Sequence, residues 1–102
     1  IKLKYNGSTA LHLACEQRAS LDVVSNLLSA WPDAAKEMSR FSWTPLHIAC
    51  KKGASLDVIH ALLSSYPDAA KVESRFSWTP LHLACHSGAS FDVIHALVRS
   101  WP

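Results

Sequence analysis

The chain holds six histidines and three cysteines, the side chains best suited to metal binding, nucleophilic attack or redox work. Their positions argue against all three. His12, His47 and His82 recur at steps of 35 residues, as do Cys15, Cys50 and Cys85. If each step is one packed unit, equivalent residues form a ladder with rungs roughly 8–10 Å apart, the usual separation of packed helices. Two imidazoles sharing one metal need bonds of roughly 2 Å each. A disulfide needs Cα atoms about 4.4–6.8 Å apart. Neither fits between rungs, so both ladders read as structural, with all three cysteines expected to be buried, reduced and slow to react. His60 and His95 repeat elsewhere in the unit and His86 stands alone. No paired carboxylates, phosphate loop, nucleophile elbow or metal-spaced ligand set appears, which predicts neither an enzyme nor a cofactor.

The elements that carry these residues follow from the repeat. Thr9-Ala10-Leu11-His12-Leu13-Ala14-Cys15 returns as Thr44-Pro45-Leu46-His47-Ile48-Ala49-Cys50 and as Thr79-Pro80-Leu81-His82-Leu83-Ala84-Cys85. Pro32-Asp33-Ala34-Ala35-Lys36 returns from Pro67, and Ser39-Arg40-Phe41-Ser42-Trp43 from Ser74. A fixed period of this length signals a solenoid of stacked units.

In the middle unit Thr44 suits an N-cap and Pro45 the first helical position. Leu46, Ala49 and Cys50 then share one helix face, and Gly53 ends the helix in the left-handed conformation. Ser55 can cap a second helix, with Asp57 in its first turn. Val58, Ile59, Leu62 and Leu63 form its apolar face. Pro67 stops it and pushes Tyr66 to an extended conformation. Pro67-Asp68-Ala69-Ala70-Lys71 can itself start a helical turn. The spans predicted are 10–17, 21–30, 45–52, 56–65, 80–87 and 91–100. Helices this short are marginal alone and must bury their faces on the next unit. Arg18 stands where Gly53 and Gly88 end the other two first helices, so a left-handed Arg18 costs about 1 kcal/mol.

The run T-P-L-H-x-A-C-x-x-G followed by D-V-I-x-x-L-L resembles the ankyrin repeat over nearly the whole chain. The W/Y-P-D-A-A-K variant is similar to ankyrin arrays common in algae and other protists. The resemblance implies an all-α solenoid of about three stacked antiparallel helix pairs. The organisation is then an incomplete leading loop at 1–8, repeats at 9–43 and 44–78, and a third at 79–102 without its trailing loop. It also implies that the recurrent His ties neighbouring loops together by hydrogen bonds. Ankyrins usually place a glycine two residues before the Thr; Gly7 keeps it, whereas Ser42 and Ser77 replace it, which puts the usual β-hairpin finger in question.

Repetition separates scaffold from site. A residue packed against the next unit meets the same neighbour each time and should recur; one that meets an irregular partner need not. Glu16, Lys51 and His86 occupy one variable position, Gln17, Lys52 and Ser87 the next. The resemblance places both on a concave groove. Trp43 and Trp78, just before the Thr, recur and so read as packing, yet tryptophan is also favoured in interface hot spots. Phe41 and Phe76 read mainly as packing, and Arg40 and Arg75 as solvated or stacked on a ring. The candidate partner-binding residues are therefore Trp43, Lys51, Lys52 and Trp78, flanked by Glu16, Gln17 and His86.

Composition narrows the classes. The chain is 49 % hydrophobic with a formal net charge of +2, which suits neither a disordered tail nor a nucleic-acid-binding surface. No apolar run approaches the roughly 20 residues of a membrane-spanning helix. Residue 1 is Ile, and the chain is expected to begin inside a longer intracellular polypeptide. The leading expectation is a module that binds a protein partner on its concave face. The rival is a structural subunit held in a larger assembly, because no polar capping unit closes either end and further repeats or other subunits could stack there.

Overall fold

Thr9, Thr44 and Thr79 start three short helices: α1 (Ala10–Glu16), α3 (Pro45–Lys52) and α5 (Pro80–His86). The computed structural model describes residues 8–39 and 42–101. Each threonine is extended and accepts a hydrogen bond from the backbone N–H three residues on. After a tight turn each first helix is followed by a longer one: α2 (Leu21–Ala30), α4 (Leu56–Ser65) and α6 (Phe91–Arg99). Ser55 and Ser90 cap α4 and α6 through their side chains, whereas Ser20 makes no such bond at α2. The spans agree with the sequence-based expectation to within one residue at every end.

The turns follow residue type. Gly53 and Gly88 take φ of +73°, and Arg18 adopts the same left-handed region at +56°, as expected for a non-glycine forced into a glycine's place. Trp31 and Tyr66 leave the helix at φ −150° and ψ 84° ahead of proline. Pro32–Lys36 and Pro67–Lys71 then form one turn of 3₁₀ helix each, which buries the Ala pair at 34–35 and at 69–70. Lys36 reaches across to the next unit, with its Nζ 5.8 Å from the centre of the Tyr66 ring.

Among the described residues no strand forms beyond a single bridge position at Ser8, and the fully described second loop, 72–78, has no two-stranded finger. Its tip survives. The Ser42 N–H donates to the Ser39 carbonyl at 3.0 Å, and the Ser39 N–H to the Trp43 carbonyl at 2.9 Å. The second copy repeats this between Ser77 and Ser74 and between Ser74 and Trp78, at 2.9 and 2.8 Å. In the second copy, where every residue is described, that is a three-residue hairpin loop whose last residue is left-handed. Ser42 and Ser77 supply that conformation at φ +60° and +65°, accepting strain that glycine would avoid.

The first helices stack as one layer, α1 on α3 on α5, and the second helices as another, α2 on α4 on α6. Leu11, Leu46, Val24, Ile59, Leu62 and Leu97 are nearly inaccessible and form a continuous core between the layers. Every buried side-chain nitrogen and oxygen among the described residues has a hydrogen-bond partner. Cys15 and Cys50 lie in this core, as expected, but Cys85 is exposed. Cys15 on α1 is covered by the second unit and Cys50 on α3 by the third, while no unit among the described residues covers Cys85 on α5. Phe76 likewise departs from the packing expected of it. It is 66 % exposed, with the Arg75 guanidinium 5.9 Å from its ring centre. Arg40 and Phe41 lie outside the described residues.

Leu62 belongs to α4, which packs on both α2 and α6, and it is 1 % exposed. Truncating Leu62 to Ala is expected to destabilise the chain by roughly 2–5 kcal/mol through lost burial and a residual cavity. A urea midpoint equal to the wild type's would show that α4 is not the central element of the stack.

Candidate functional site

The three histidines of the first ladder set the geometry on which the surface is built. In each unit the threonine N–H donates to the Nδ1 of the His three residues on, at 3.1 Å, and the threonine Oγ1 lies 2.8–2.9 Å from the same nitrogen. Nδ1 must therefore be an acceptor. On the far side of the ring, His12 Nε2 lies 2.9 Å from the Trp43 carbonyl, and His47 Nε2 lies 2.9 Å from the Trp78 carbonyl. A carbonyl can only accept, so Nε2 carries the hydrogen and each imidazole is the neutral Nε2–H tautomer. One ring thus completes its own helix cap and clamps the end of the loop that leads into the next unit. The inter-loop bonding implied by the resemblance is present at His12 and His47. His82 is exposed, and the carbonyl 31 residues on lies past Pro102.

Burial holds the His47 imidazole below its ordinary pKa, against a smaller opposing effect of hydrogen bonds with the backbone of Trp78 and Val72. Burial pushes the Cys15 thiol up to about 12, and burial followed by the proximity of Cys15 does the same for Cys50. Both thiols are therefore unreactive in the folded chain. No group of three or more His, Cys, Asp or Glu among the described residues is placed to hold a metal ion.

The seven predicted contact residues resolve into three local pairs and one outlier. The Lys51 Nζ stands 5.0 Å from the centre of the Trp43 ring, within cation–π range. Lys52 reaches back to Glu16 of the first unit, Nζ to Oε1 at 3.2 Å. Trp78 meets His86 edge-on with ring centres 5.7 Å apart, and also His82 at 6.2 Å. Gln17 is exposed at the C-terminal end of α1. A further bond, from the Ser87 hydroxyl to the Lys51 carbonyl at 3.0 Å, ties the end of α5 to that of α3, as the Lys52–Glu16 pair ties α3 to α1. The C-terminal ends of the three first helices are thus laced into one rim.

Two parts of this arrangement were overlooked in the sequence. Trp43, His47 and Lys51 are spaced by four residues, as are Trp78, His82 and His86. On a helix that spacing stacks side chains on one face, a signal for the Trp43–Lys51 and Trp78–His86 contacts. The other is a concavity of about 750 Å³ at the exposed end of the third unit, lined by Trp78, Leu81, His82, Cys85, Val98 and Trp101 among others. Its signal was the core pattern of α5 and α6, which carries core-type residues onto a face that no described residue covers.

A family model of ankyrin repeats in three copies matches residues 11–100, and the chain belongs to the ankyrin-repeat family. No curated protein matches the sequence. Ankyrin repeats in general are protein–protein interaction modules rather than enzymes. No helix among the described residues is long and apolar enough to cross a membrane.

Two solution properties follow from the ladders. The His47 pKa is lowered on folding, so the unfolded chain takes up the proton first as pH falls. Stability should hold above the ordinary histidine value of about 6.5 and decline as pH drops below it. Urea midpoints across that range check this, and a slope undiminished in His47→Gln would place the effect elsewhere. Separately, a water-soluble thiol reagent should label Cys85 in the folded protein and reach Cys15 and Cys50 only on unfolding. Equal labelling of all three, read by mass mapping, would contradict the burial of the lower rungs.

Proposed function

We propose that this ankyrin-repeat chain binds an acidic protein segment along the rim formed by the ends of its first helices. The observation that carries this reading is a coincidence of two properties. The positions held by Glu16, Lys51 and His86, and by Gln17, Lys52 and Ser87, are the ones at the ends of the first helices where all three units carry a different residue; elsewhere in those helices the exchanges are Ala10 for Pro45 and Pro80 and Ile48 for Leu13 and Leu83, each apolar for apolar. The end positions are also exposed or half-exposed. Self-packing does not dictate them, so a partner is free to have done so.

Within the rim, Trp43 and Trp78 supply rigid area at low entropic cost, and Trp78 is 38 % exposed. Lys51 and Lys52 add attraction for negative charge, chiefly by speeding encounter. Their shares differ: Lys52 is partly neutralised by Glu16, whereas Lys51 carries its charge on an aromatic face. Gln17 and His86 flank the contact with hydrogen-bonding groups. A protein partner fits better than a nucleic acid, because a net charge of +2 provides little electrostatic footprint. The three free cysteines suit a reducing, intracellular setting.

A second reading, that of a structural subunit held in a larger assembly, draws on a different observation: the apolar concavity at the end of the third unit. In that reading the partner contacts an end of the stack, and the rim is solvated surface.

The two readings separate on the lysines. With the partner captured from the native source, Lys51→Glu combined with Lys52→Glu should weaken binding, Lys51→Glu alone accounting for most of the loss. Stability should fall by no more than about 2 kcal/mol, the summed worth of an exposed ion pair and a surface cation–π contact. Trp78→Ala should weaken both binding and stability. Affinity unchanged by the double lysine swap would remove the rim as the site and leave the assembly reading in its place.

A further inference from the structure

The second helices also depart from their own repeat. His60 stands where the first unit has Ser25, Arg99 where the second has Ser64, and Phe91 where the others have Leu21 and Leu56. His60, Phe91 and Arg99 are all exposed, so packing between units does not require them. They gather at one groove. His60, His95 and Arg99 line a concavity of about 500 Å³ between α4 and α6. Phe91 stacks on the His95 ring, with centres 5.6 Å apart and planes inclined by 20°, which fixes the orientation of that imidazole. These are outward positions whatever stacks above them: His60 and Ser64 are exposed on α4 although α6 packs against it, and His95 and Arg99 hold the same positions on α6.

We propose that the groove between α4 and α6 binds a phosphate monoester carried on a protein segment, the side chain of a phosphoserine or phosphothreonine. Arg99 brings a planar fork of donors suited to phosphate oxygens. Among the described residues its guanidinium has no ion-pair partner, whereas Lys52 is held by Glu16 and Lys36 by Asp33. His60 and His95 each add a ring N–H, and a second proton on either ring would add charge. The Ser64 hydroxyl is a further donor; that of Ser100 is already given to the Ala96 carbonyl at 3.0 Å. Asp92 is the one carboxylate among the lining residues. It stands in the first turn of α6, where the helix N-terminus offsets its charge.

The stack contains its own control. The equivalent residues between α2 and α4 keep the frame, with Leu21, Ser29, Asp57 and Ala61, but hold one imidazole, His60, and no guanidinium. Only the upper groove offsets its carboxylate with an Arg and adds two imidazoles. A phosphate monoester carries about −1.5 to −2 at pH 7 and three acceptor oxygens, enough to engage Arg99 and both rings together; a carboxylate has one charge and two oxygens to share among them. The groove is larger than a phosphate group, and Leu56, Leu63 and Ala96 line the remainder, which gives the carbon chain bearing the phosphate an apolar seat. No rim residue lines this groove, so its ligand and a partner on the rim are separate questions.

Amide chemical-shift titration of the whole chain tests this, with four probes: the pentapeptide Ala-Ala-phosphoserine-Ala-Ala, its unphosphorylated form, the same peptide with Glu at the centre, and inorganic phosphate. The phosphopeptide should saturate below about 1 mM and shift amides of α4 and α6 around His60, His95 and Arg99. The unphosphorylated and Glu peptides should leave those amides in place, and inorganic phosphate should bind about tenfold more weakly than the phosphopeptide. Arg99→Ser and His60→Ser install the residue that the equivalent position of the preceding unit carries, so folding should be retained, as a melting curve checks. Each should weaken the phosphopeptide by about tenfold. The shift map of the wild type stands as a test by itself if a variant does not fold. Shifts confined to the rim, a Glu peptide or free phosphate that binds as tightly as the phosphopeptide, no saturation, or folded variants of unchanged affinity would each overturn the proposal.

Discussion

The stack depends on a two-sided hydrogen bond through one imidazole. In the first two units a buried histidine accepts at Nδ1 from the threonine that starts its own helix and donates from Nε2 to a carbonyl at the end of the loop leading into the next unit. The partner carbonyl is itself shared: Trp43 O receives the Ser39 N–H as well as His12, and Trp78 O receives the Ser74 N–H as well as His47. Both lone pairs of each carbonyl are used. The helix cap, the hairpin tip and the inter-unit joint are thereby one connected network. Only one tautomer satisfies it, and a protonated ring would leave the threonine N–H without its acceptor. This is why so small a unit can be stacked in register: apolar burial supplies the drive, and the histidine sets where the next loop must sit.

The same network explains why an unfavourable backbone is tolerated. Ser42 and Ser77 are left-handed without being glycine, and that conformation turns the chain so that the Trp carbonyl meets the histidine. Strain of this kind persists where surrounding bonds over-determine it. The tryptophan side chain is a separate matter, because a backbone carbonyl does not require it; Ser8 stands in the equivalent place of the first unit. What recurs with the tryptophan is the histidine ring four residues on, 6.1 Å away for Trp43 and 6.2 Å for Trp78. The indole therefore belongs partly to the packing of its own helix start and partly to the exposed rim.

Much of this was legible in the residues. Thr-Pro at the helix starts, Gly53 and Gly88 at the ends and proline after the second helices located every element to within a residue, because each acts through local backbone preference. Arg18 was recognisable as a left-handed residue by register with the two glycines. The misreading of Cys85 has a definite physical cause. Periodicity assumes that every unit has a neighbour on both sides, and Cys85 has the core pattern of Cys15 and Cys50 without the covering unit that makes it core. Phe76 is a different case, a recurrent residue that is nonetheless 66 % exposed. Side-chain pairings such as Lys52 with Glu16 were illegible for a further reason: they join different units, and their geometry depends on how one unit is rotated on the next.

The rim and the ends are chemically distinct surfaces. Residues on the rim vary from unit to unit and carry charge; residues at the ends repeat and are apolar. The rim is laced laterally by Lys52–Glu16 and Ser87–Lys51, interactions between half-exposed polar groups that leave the apolar faces untouched. The two kinds of contact also differ in what they can tolerate: an apolar face between units accepts only a close copy of the residue it already meets, whereas a half-exposed polar pair on the rim accepts exchange at the cost of a surface interaction.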